Sequence, residues 1–239
     1  MRLDKLLAQC GFGSRQQVKQ LVRAGAVRFR GEPVRDPGLH VEPGEVTVQG
    51  EPLAYRPYLY LMLHKPPGLL TATRDRHAPT VLDLLPGELL RRKPAPVGRL
   101  DKDAEGLLLI TDDGALAHYL LSPARHVEKV YRVTCDAGFV PADIAAFASG
   151  MDLGDFIAKP AQLTPLDPPT EALITVTEGK FHQVKRMCAA RGKTVLRLIR
   201  LGMGGLTLDP ALEPGAWREL TDQEICGLME AARFHREDA

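Results

Sequence analysis

The stretch GRLDKDAEGLLLITDDG, residues 98–114, places acidic side chains on both sides of an apolar run. The run Leu107–Ile110 predicts a buried strand, because four consecutive apolar residues bounded by turn signals are typical of a sheet interior. Arg99 stands two residues before the first acid, and four of the acids are aspartates, namely Asp101, Asp103, Asp112 and Asp113. A soluble protein needs a reason to place so many carboxylates beside a core strand.

The four aspartates separate by their local context. Asp112 and Asp113 come in a turn before a helix, where a carboxylate caps free amides, so we predict a structural role for both. Asp103 lies among Lys102, Ala104 and Glu105, and we predict that it is a loop or cap residue. Asp101 follows Gly98-Arg99-Leu100 in a loop that leads directly into the buried strand. It is therefore the candidate catalytic residue of this stretch.

A second segment, GKFHQVKRMCAAR at residues 179–191, predicts a glycine loop that enters a helix. The helical wheel places an apolar arc beside a polar arc formed by His182, Lys185 and Arg186, and the apolar arc comprises Phe181, Val184, Met187 and Cys188. Lys185 lies on the flank next to the apolar arc, which suits a half-buried cation with a carboxylate partner. A basic surface helix is the alternative interpretation of the same pattern.

The pattern of strands and helices predicts an α+β protein. From residue 58 onward strands outnumber helices, and no repeated βαβ period is visible. Strands are predicted at Leu107–Thr111, Lys129–Thr134 and Ala172–Thr177, and a helix carries Leu116, Leu120 and Leu121. A mixed, mainly antiparallel sheet with flanking helices fits best.

The first 50 residues form a separate basic module. Residues 2–9 predict a short helix, Ser14 predicts the N-cap of a second helix that runs to Ala24, and short strands are predicted at 27–29 and 46–48. Four cations without interleaved acids favour phosphate binding, namely Arg15, Lys19, Arg23 and Arg28. The Pro-rich stretch that follows predicts a linker, so the predicted domains are 1–50 and 59–239 with a linker at 51–58.

Composition excludes several classes of protein. The 239 residues are 44% hydrophobic and 26% charged, which is typical of a globular chain, and no apolar run is long enough to span a bilayer. The N-terminus does not predict a signal peptide, and four scattered cysteines predict free thiols in a reducing cytoplasm. Neither a metal-ligand cluster nor a phosphate-binding glycine motif is visible, so no cofactor is predicted.

The net charge of +1 conceals two basic zones. Residues 1–35 contain eight Lys or Arg against two acids, and residues 178–200 contain seven against Glu178 alone. Two such zones predict two surfaces for a polyanion.

Four motifs together resemble one family. GRLDKDAEGLLLITDDG is similar to the catalytic motif of pseudouridine synthases, and HKPPG, EKVYRV and EGKFHQVKRM resemble the other motifs of the RsuA branch, which includes RluB, RluE and RluF. The segment RLDKLLAQCGFGSR resembles the S4 RNA-binding domain, so the resemblance covers nearly the whole chain. There are two departures, because His64 replaces the usual Asn and Ala104-Glu105 replaces the usual pair of hydroxyl residues.

The resemblance implies the isomerisation of uridine in ribosomal RNA, and it favours 16S rRNA of the small subunit. Asp101 would act on the ribose, Lys185 would be its counter-charge, and Tyr131 would stack on a flipped uracil. The residues expected to bind RNA are Arg99, Arg15, Lys19, Arg23, Arg28, Lys65, His182 and Arg186. No cofactor, metal or membrane is implied, and the expected enzyme is a cytoplasmic monomer acting on rRNA or on an assembling small subunit.

Three alternatives remain open on the sequence. The same branch contains enzymes for large-subunit (23S) rRNA. A non-catalytic ribosome-assembly factor would need the basic front module but not the catalytic motif. A magnesium-dependent nuclease would use the four aspartates of residues 98–114, and it would be blocked by EDTA.

Overall fold

The computed structural model of the chain describes residues 1–53 and 55–235. The chain divides into two compact units, one formed by Met1–Leu59 with Leu85–Lys93 and the other by Tyr60–Leu84 with Pro94–Ala239. The domain limits given above stay predictions. Within the described ranges, no helix is both long and apolar enough to cross a membrane.

The first unit is a small α+β module. Its helices are α1 (Leu3–Gln9), α2 (Arg15–Arg23) and α3 (Gly87–Leu90), and its strands are β1 (Val27–Phe29), β2 (Glu32–Pro33), β3 (Val46–Val48) and β4 (Glu51–Pro52). The four strands form an antiparallel sheet in the order β2-β1-β3-β4. The predicted helix pair and the two predicted strands are confirmed.

Helix α2 begins where the sequence predicts. The Ser14 amide donates to Gln17 Oε1 at 2.7 Å, and the Gln17 amide donates back to Ser14 Oγ at 3.4 Å, which forms a capping box. Val18 and Val22 then enter the core of the unit, whereas the predicted cationic stripe of the same helix is exposed.

The second unit contains most of the chain. Its helices are α4 (Gly114–Leu121), α5 (Pro141–Ser149), α6 (Gln183–Ala190) and α7 (Asp222–Ala232). Its strands are β5 (Tyr60–Lys65), β6 (Ala95–Pro96), β7 (Glu105–Thr111), β8 (Lys129–Cys135), β9 (Met151–Asp152), β10 (Ile157–Ala158), β11 (Gln162–Pro165), β12 (Glu171–Val176), β13 (Val195–Met203), β14 (Leu206–Thr207) and β15 (Trp217–Glu219).

A nine-stranded sheet forms the centre of this unit. The main order is β11-β12-β8-β13-β7-β5-β15, with β6 on β7 and β14 on β13. All of these pairs are antiparallel except β13 with β7, which confirms a mixed, mainly antiparallel sheet. The predicted apolar run lies in β7, where Leu107–Ile110 are fully buried.

The parallel contact between β7 and β13 depends on a glycine. Gly106 has φ +106°, and a Cβ added there would lie 2.2 Å from the backbone oxygen of Arg200. Only glycine allows the two backbones to approach so closely. This contact brings β13, late in the chain, against the start of the catalytic-motif strand.

Asp113 has the predicted structural role. Its Oδ1 accepts the Leu116 amide at 3.1 Å and so caps α4, and its Oδ2 accepts the Tyr60 hydroxyl at 2.6 Å. The prediction for Phe181 is wrong, because α6 begins only at Gln183 and the Phe181 side chain is 69% exposed. His182 adopts the left-handed conformation before the helix, and this takes Phe181 out of the apolar arc.

Candidate active site

Backbone and side-chain hydrogen bonds hold the loop that carries Asp101. The Thr71 hydroxyl donates to the Leu100 carbonyl at 2.7 Å and accepts the Leu100 amide at 3.2 Å. The Gly68 amide donates to the Lys102 carbonyl at 2.7 Å. The segment after β5 therefore fixes the loop on both sides of Asp101.

Lys65 completes this anchoring from inside the protein. Its side chain is fully buried, and its ammonium donates to the carbonyls of Pro66, Lys102 and Ala104 at 3.0, 3.2 and 2.8 Å. Burial lowers the pKa of Lys65 to about 8, against the opposing effect of nearby carboxylates. The prediction that Lys65 binds RNA is corrected, because its ammonium is enclosed by the loop that it holds.

The two departures from the family pattern have partners in the structure. His64 Nδ1 lies 2.7 Å from the Leu212 carbonyl. Ala104 is buried beneath the loop, and Glu105 forms a two-pronged ion pair with Arg197, both contacts at 2.9 Å. Loop anchoring therefore does not need the missing hydroxyls.

Helix α6 and the residue that precedes it bring two basic side chains to Asp101. Lys185 Nζ lies 3.3 Å from Asp101 Oδ2, and His182 Nε2 lies 3.4 Å from Asp101 Oδ1. Lys185 Nζ is closer to Asp103, with distances of 2.7 and 2.8 Å to the two oxygens. No local signal indicates this role of Asp103, which is expected from sequence to be a loop or cap residue.

Exposure distinguishes the two carboxylates that contact Lys185. The side chain of Asp101 is 25% exposed, that of Lys185 is 22% exposed, and that of Asp103 is 74% exposed. The hydrogen bond from Lys185 lowers the pKa of Asp103. Burial alone would lower the pKa of Lys185, but its two carboxylate neighbours outweigh burial and the pKa is raised. Lys185 therefore stays protonated beside Asp101.

Asp101 opens into a cavity of about 710 Å³, which is large enough for a nucleotide. Tyr131 on β8 and His182 line the same cavity, together with the exposed Arg99. A smaller recess of about 70 Å³ shares these four residues and is closed by apolar side chains of β13 and α6. The fold thus brings the three predicted catalytic residues, Asp101, Tyr131 and Lys185, into one region.

Most cations of the second predicted polyanion surface, residues 178–200, have carboxylate partners in the structure, and polyanion binding there stays a prediction. Arg186 donates to the Leu153 carbonyl at 2.6 Å and pairs with Asp155, so its charge is already compensated. Five of the seven cations in this zone have a carboxylate partner, and these are Lys185, Arg186, Arg191, Lys193 and Arg197. Their acids lie far away in the sequence, so local charge counting could not find them.

The first basic zone has a different character. Arg15, Lys19, Arg23 and Arg28 are all exposed in the first unit. Arg28 donates to the Gly31 carbonyl at 3.0 Å, and this neutral acceptor does not compensate its positive charge. RNA binding by these residues stays a prediction.

Replacing Lys65 with methionine is expected to lower the free energy of unfolding by about 1 to 3 kcal/mol, because loop carbonyls lose their donor. The effect should depend on pH. The pKa of Lys65 is about 8 in the folded chain against an ordinary 10.5, so between these values the unfolded chain binds more protons. The wild-type protein should therefore gain stability as the pH rises through this range, and the gap to the variant should widen by up to about 3 kcal/mol.

Urea unfolding of both proteins between pH 7.5 and pH 10.5 measures this gap. Lys129, whose pKa is also lowered to about 8, is present in both proteins and cancels in the difference. A gap that stays constant across the range would contradict the assignment.

Comparison with known proteins identifies the family. Residues 59–190 match the RNA pseudouridylate synthase family, and residues 1–47 match the S4 domain. The chain is 51% identical to the RNA pseudouridine synthase YtzG of Bacillus subtilis (94% of this chain, 97% of the relative). It is 43% identical to ribosomal small subunit pseudouridine synthase A of Pseudomonas aeruginosa (95% and 100%). A crystal structure of a pseudouridylate synthase superposes with a TM-score of 0.68 at 37% identity (95% and 99%). The chain, in which an S4 domain precedes the synthase domain, therefore belongs to the RNA pseudouridylate synthase family and is a pseudouridine synthase.

Proposed function

We propose that this enzyme converts a uridine of 16S rRNA, in the small ribosomal subunit, to pseudouridine. The relative from Pseudomonas aeruginosa is named for the small subunit, and so is a relative from Escherichia coli that is 41% identical over 96% of this chain. The observation that carries the chemical part is the contact of Asp101 with Lys185 at 3.3 Å, at the edge of a cavity lined by Tyr131.

The reaction breaks the bond from C1′ to N1, turns the uracil and joins its C5 to C1′. The C5 hydrogen is lost as a proton and N1 regains one, so the substrate and the product are isomers. Positive charge develops on the ribose as the glycosidic bond breaks, and a carboxylate at that position stabilises it. Asp101 supplies this carboxylate, whether it bonds to C1′ or removes a sugar proton to give a glycal.

The target base must leave its stack to reach Asp101. Flipping costs a few kcal/mol, and an enzyme offsets this cost by holding both the base and the vacated position. Tyr131 offers a ring on which the uracil stacks, and Arg99, two residues before Asp101, takes the vacated position or a phosphate. The cavity volume of about 710 Å³ accommodates the flipped nucleotide.

The S4 domain supplies affinity through phosphate contacts. Its exposed cations, Arg15, Lys19, Arg23 and Arg28, suit recognition of structured RNA by shape rather than by base sequence. The substrate is then rRNA, free or within an assembling small subunit, and the enzyme works as a monomer in the cytoplasm.

Mapping pseudouridines in 16S and 23S rRNA from cells with and without this gene tests the substrate. One pseudouridine should disappear from 16S rRNA and return when the wild-type gene is restored. In vitro, the enzyme should release tritium from 16S rRNA labelled at C5 of uridine, and EDTA should not prevent this release. Loss of a site from 23S rRNA alone would assign the enzyme to the large subunit instead, and loss of no site would refute an rRNA target.

A further inference from the structure

Two buried cations line the active-site cavity beside Tyr131. Lys129 on β8 is 8% exposed and Arg200 on β13 is 1% exposed. Lys129 Nζ donates to the Val127 carbonyl at 2.9 Å, and Arg200 Nε donates to the Leu107 carbonyl at 2.7 Å. The Nη2 atom of Arg200 is buried and has no hydrogen-bond partner.

Within the described residues, neither cation has a carboxylate partner of the kind that compensates the buried Lys193. Lys193, equally buried, pairs with Asp143 at 2.9 Å, and Arg191 pairs with the same carboxylate at 2.8 Å. In the described ranges, no carboxylate is paired with Lys129 or Arg200. Burial, with Arg200 as a second cause, lowers the pKa of Lys129 to about 8. Two like charges held together inside a protein are costly without an anion.

The carboxylates that also line the cavity have other partners. Asp101 contacts Lys185 and His182. Glu178 Oε1 accepts the Lys159 amide at 2.9 Å and the Gln183 amide group at 2.7 Å. Neither carboxylate therefore neutralises Lys129 or Arg200.

The sheet places both cations within one nucleotide of the predicted base position. Lys129 and Tyr131 alternate on β8 and are both buried, so they share one face of the sheet. Arg200 is the cross-strand partner of Tyr131, and such neighbours have Cβ atoms about 5 Å apart. A base stacked on Tyr131 would carry its own phosphates into the range of both cations.

We propose that Lys129 and Arg200 form a phosphate subsite, which binds a phosphodiester next to the flipped uridine. The proposal rests on the proposed function, because it assumes that the flipped nucleotide occupies this cavity. A phosphodiester is a permanent anion, whereas the uracil oxygens carry only partial charge until the glycosidic bond breaks. The planar guanidinium of Arg200 suits two phosphate oxygens, and Lys129 adds a point charge.

Binding of two probes, uridine and uridine 3′,5′-bisphosphate, tests the subsite without turnover. The bisphosphate should bind the wild-type protein roughly tenfold to hundredfold more tightly than uridine, which is the scale of hydrogen bonds to charged groups. Arg200→Met and Lys129→Met should each remove most of this preference and leave uridine binding nearly unchanged. Arg200→Lys should keep part of it. Equal losses of affinity for uridine and for the bisphosphate in these variants would overturn the proposal, because the cations would then contact the nucleoside and not the phosphate.

A control variant and a chemically altered substrate complete the test. Arg132→Met removes a cation from the same strand, but from the exposed face where it pairs with Glu171, so it should keep the preference. Thermal unfolding of each variant identifies those that fail to fold. If Arg200→Met does not fold, the Arg200→Lys and Lys129→Met proteins are used to measure the preference for the bisphosphate.

The second substrate is 16S rRNA with a single neutral methylphosphonate 5′ or 3′ of the mapped uridine. A methylphosphonate at one of the two linkages should lower the reaction rate of the wild-type enzyme roughly tenfold. On that substrate Arg200→Met should lower the rate little further, because both changes remove the same contact. Full additivity would overturn the proposal. If the wild-type enzyme modifies no rRNA at all, the proposed function fails, whereas the nucleotide-binding test of the subsite still stands.

Discussion

Asp101→Asn is expected to abolish pseudouridine formation while leaving RNA affinity nearly unchanged. The substitution keeps the size of the side chain and removes the negative charge that meets the developing charge on the ribose. Removing the central group of a catalytic constellation costs at least about 10⁴-fold in rate. Single-turnover assays with excess enzyme measure this fall without interference from product release.

Asp103→Asn is the matched control for this prediction. Asp103 also contacts Lys185, at 2.7 Å, but its side chain is 74% exposed and it does not line the cavity. We expect a much smaller loss, of about tenfold or less, since exposed ion pairs contribute little. An Asp103→Asn variant that loses as much activity as Asp101→Asn would mean that the carboxylate assignment is wrong.

Lys185→Met is expected to lower kcat/KM by roughly 30- to 150-fold, which corresponds to about 2 to 3 kcal/mol of transition-state stabilisation. The substitution leaves Asp101 three-quarters buried without its ammonium partner. The loss should fall below that of a fully buried pair, because solvent reaches a quarter of each side chain and His182 lies 3.4 Å away. Most of the loss should appear in kcat, since the cation acts through Asp101 rather than on the RNA.

A double-mutant cycle separates the two carboxylates that share Lys185. If Lys185 acts through Asp101, Lys185→Met should cost nearly the same in the Asp103→Asn background as in the wild-type protein. Lys185→Arg should recover part of the activity, because it keeps the charge. A loss confined to KM would instead indicate that Lys185 binds RNA.

Local chemistry explains why much of the fold was predictable. Ser14 caps α2 through a residue three positions later, and Asp113 caps α4 in the same way, so each signal lies within one turn of its effect. Four consecutive apolar residues predict a strand buried on both faces, and all four in β7 are fully buried. The motifs are also local stretches of sequence, so their resemblance indicates the family without any tertiary contact.

Sequence reasoning was wrong where the outcome depends on distant residues. The ammonium of Lys65 is enclosed by carbonyls 37 and 39 residues away, so a lysine in a motif became a loop anchor rather than an RNA contact. Lys185 meets Asp103 across 82 residues of chain, and the cations around it found acids from other strands and loops. Phe181 was misplaced for a local reason, since one left-handed residue delays the start of α6.

The sequence by itself determined the helix caps and the buried strand of residues 107–110, because each follows from neighbours within a few residues, and it supplied Asp101 as the candidate carboxylate. Only the tertiary structure decided which charges are compensated. The parallel pairing of β7 with β13 brings Arg200 within 2.7 Å of a carbonyl 93 residues earlier, beside Lys129 and without an acid. Charge compensation is a property of three-dimensional distance, and so sequence alone could not show which cations have a carboxylate partner.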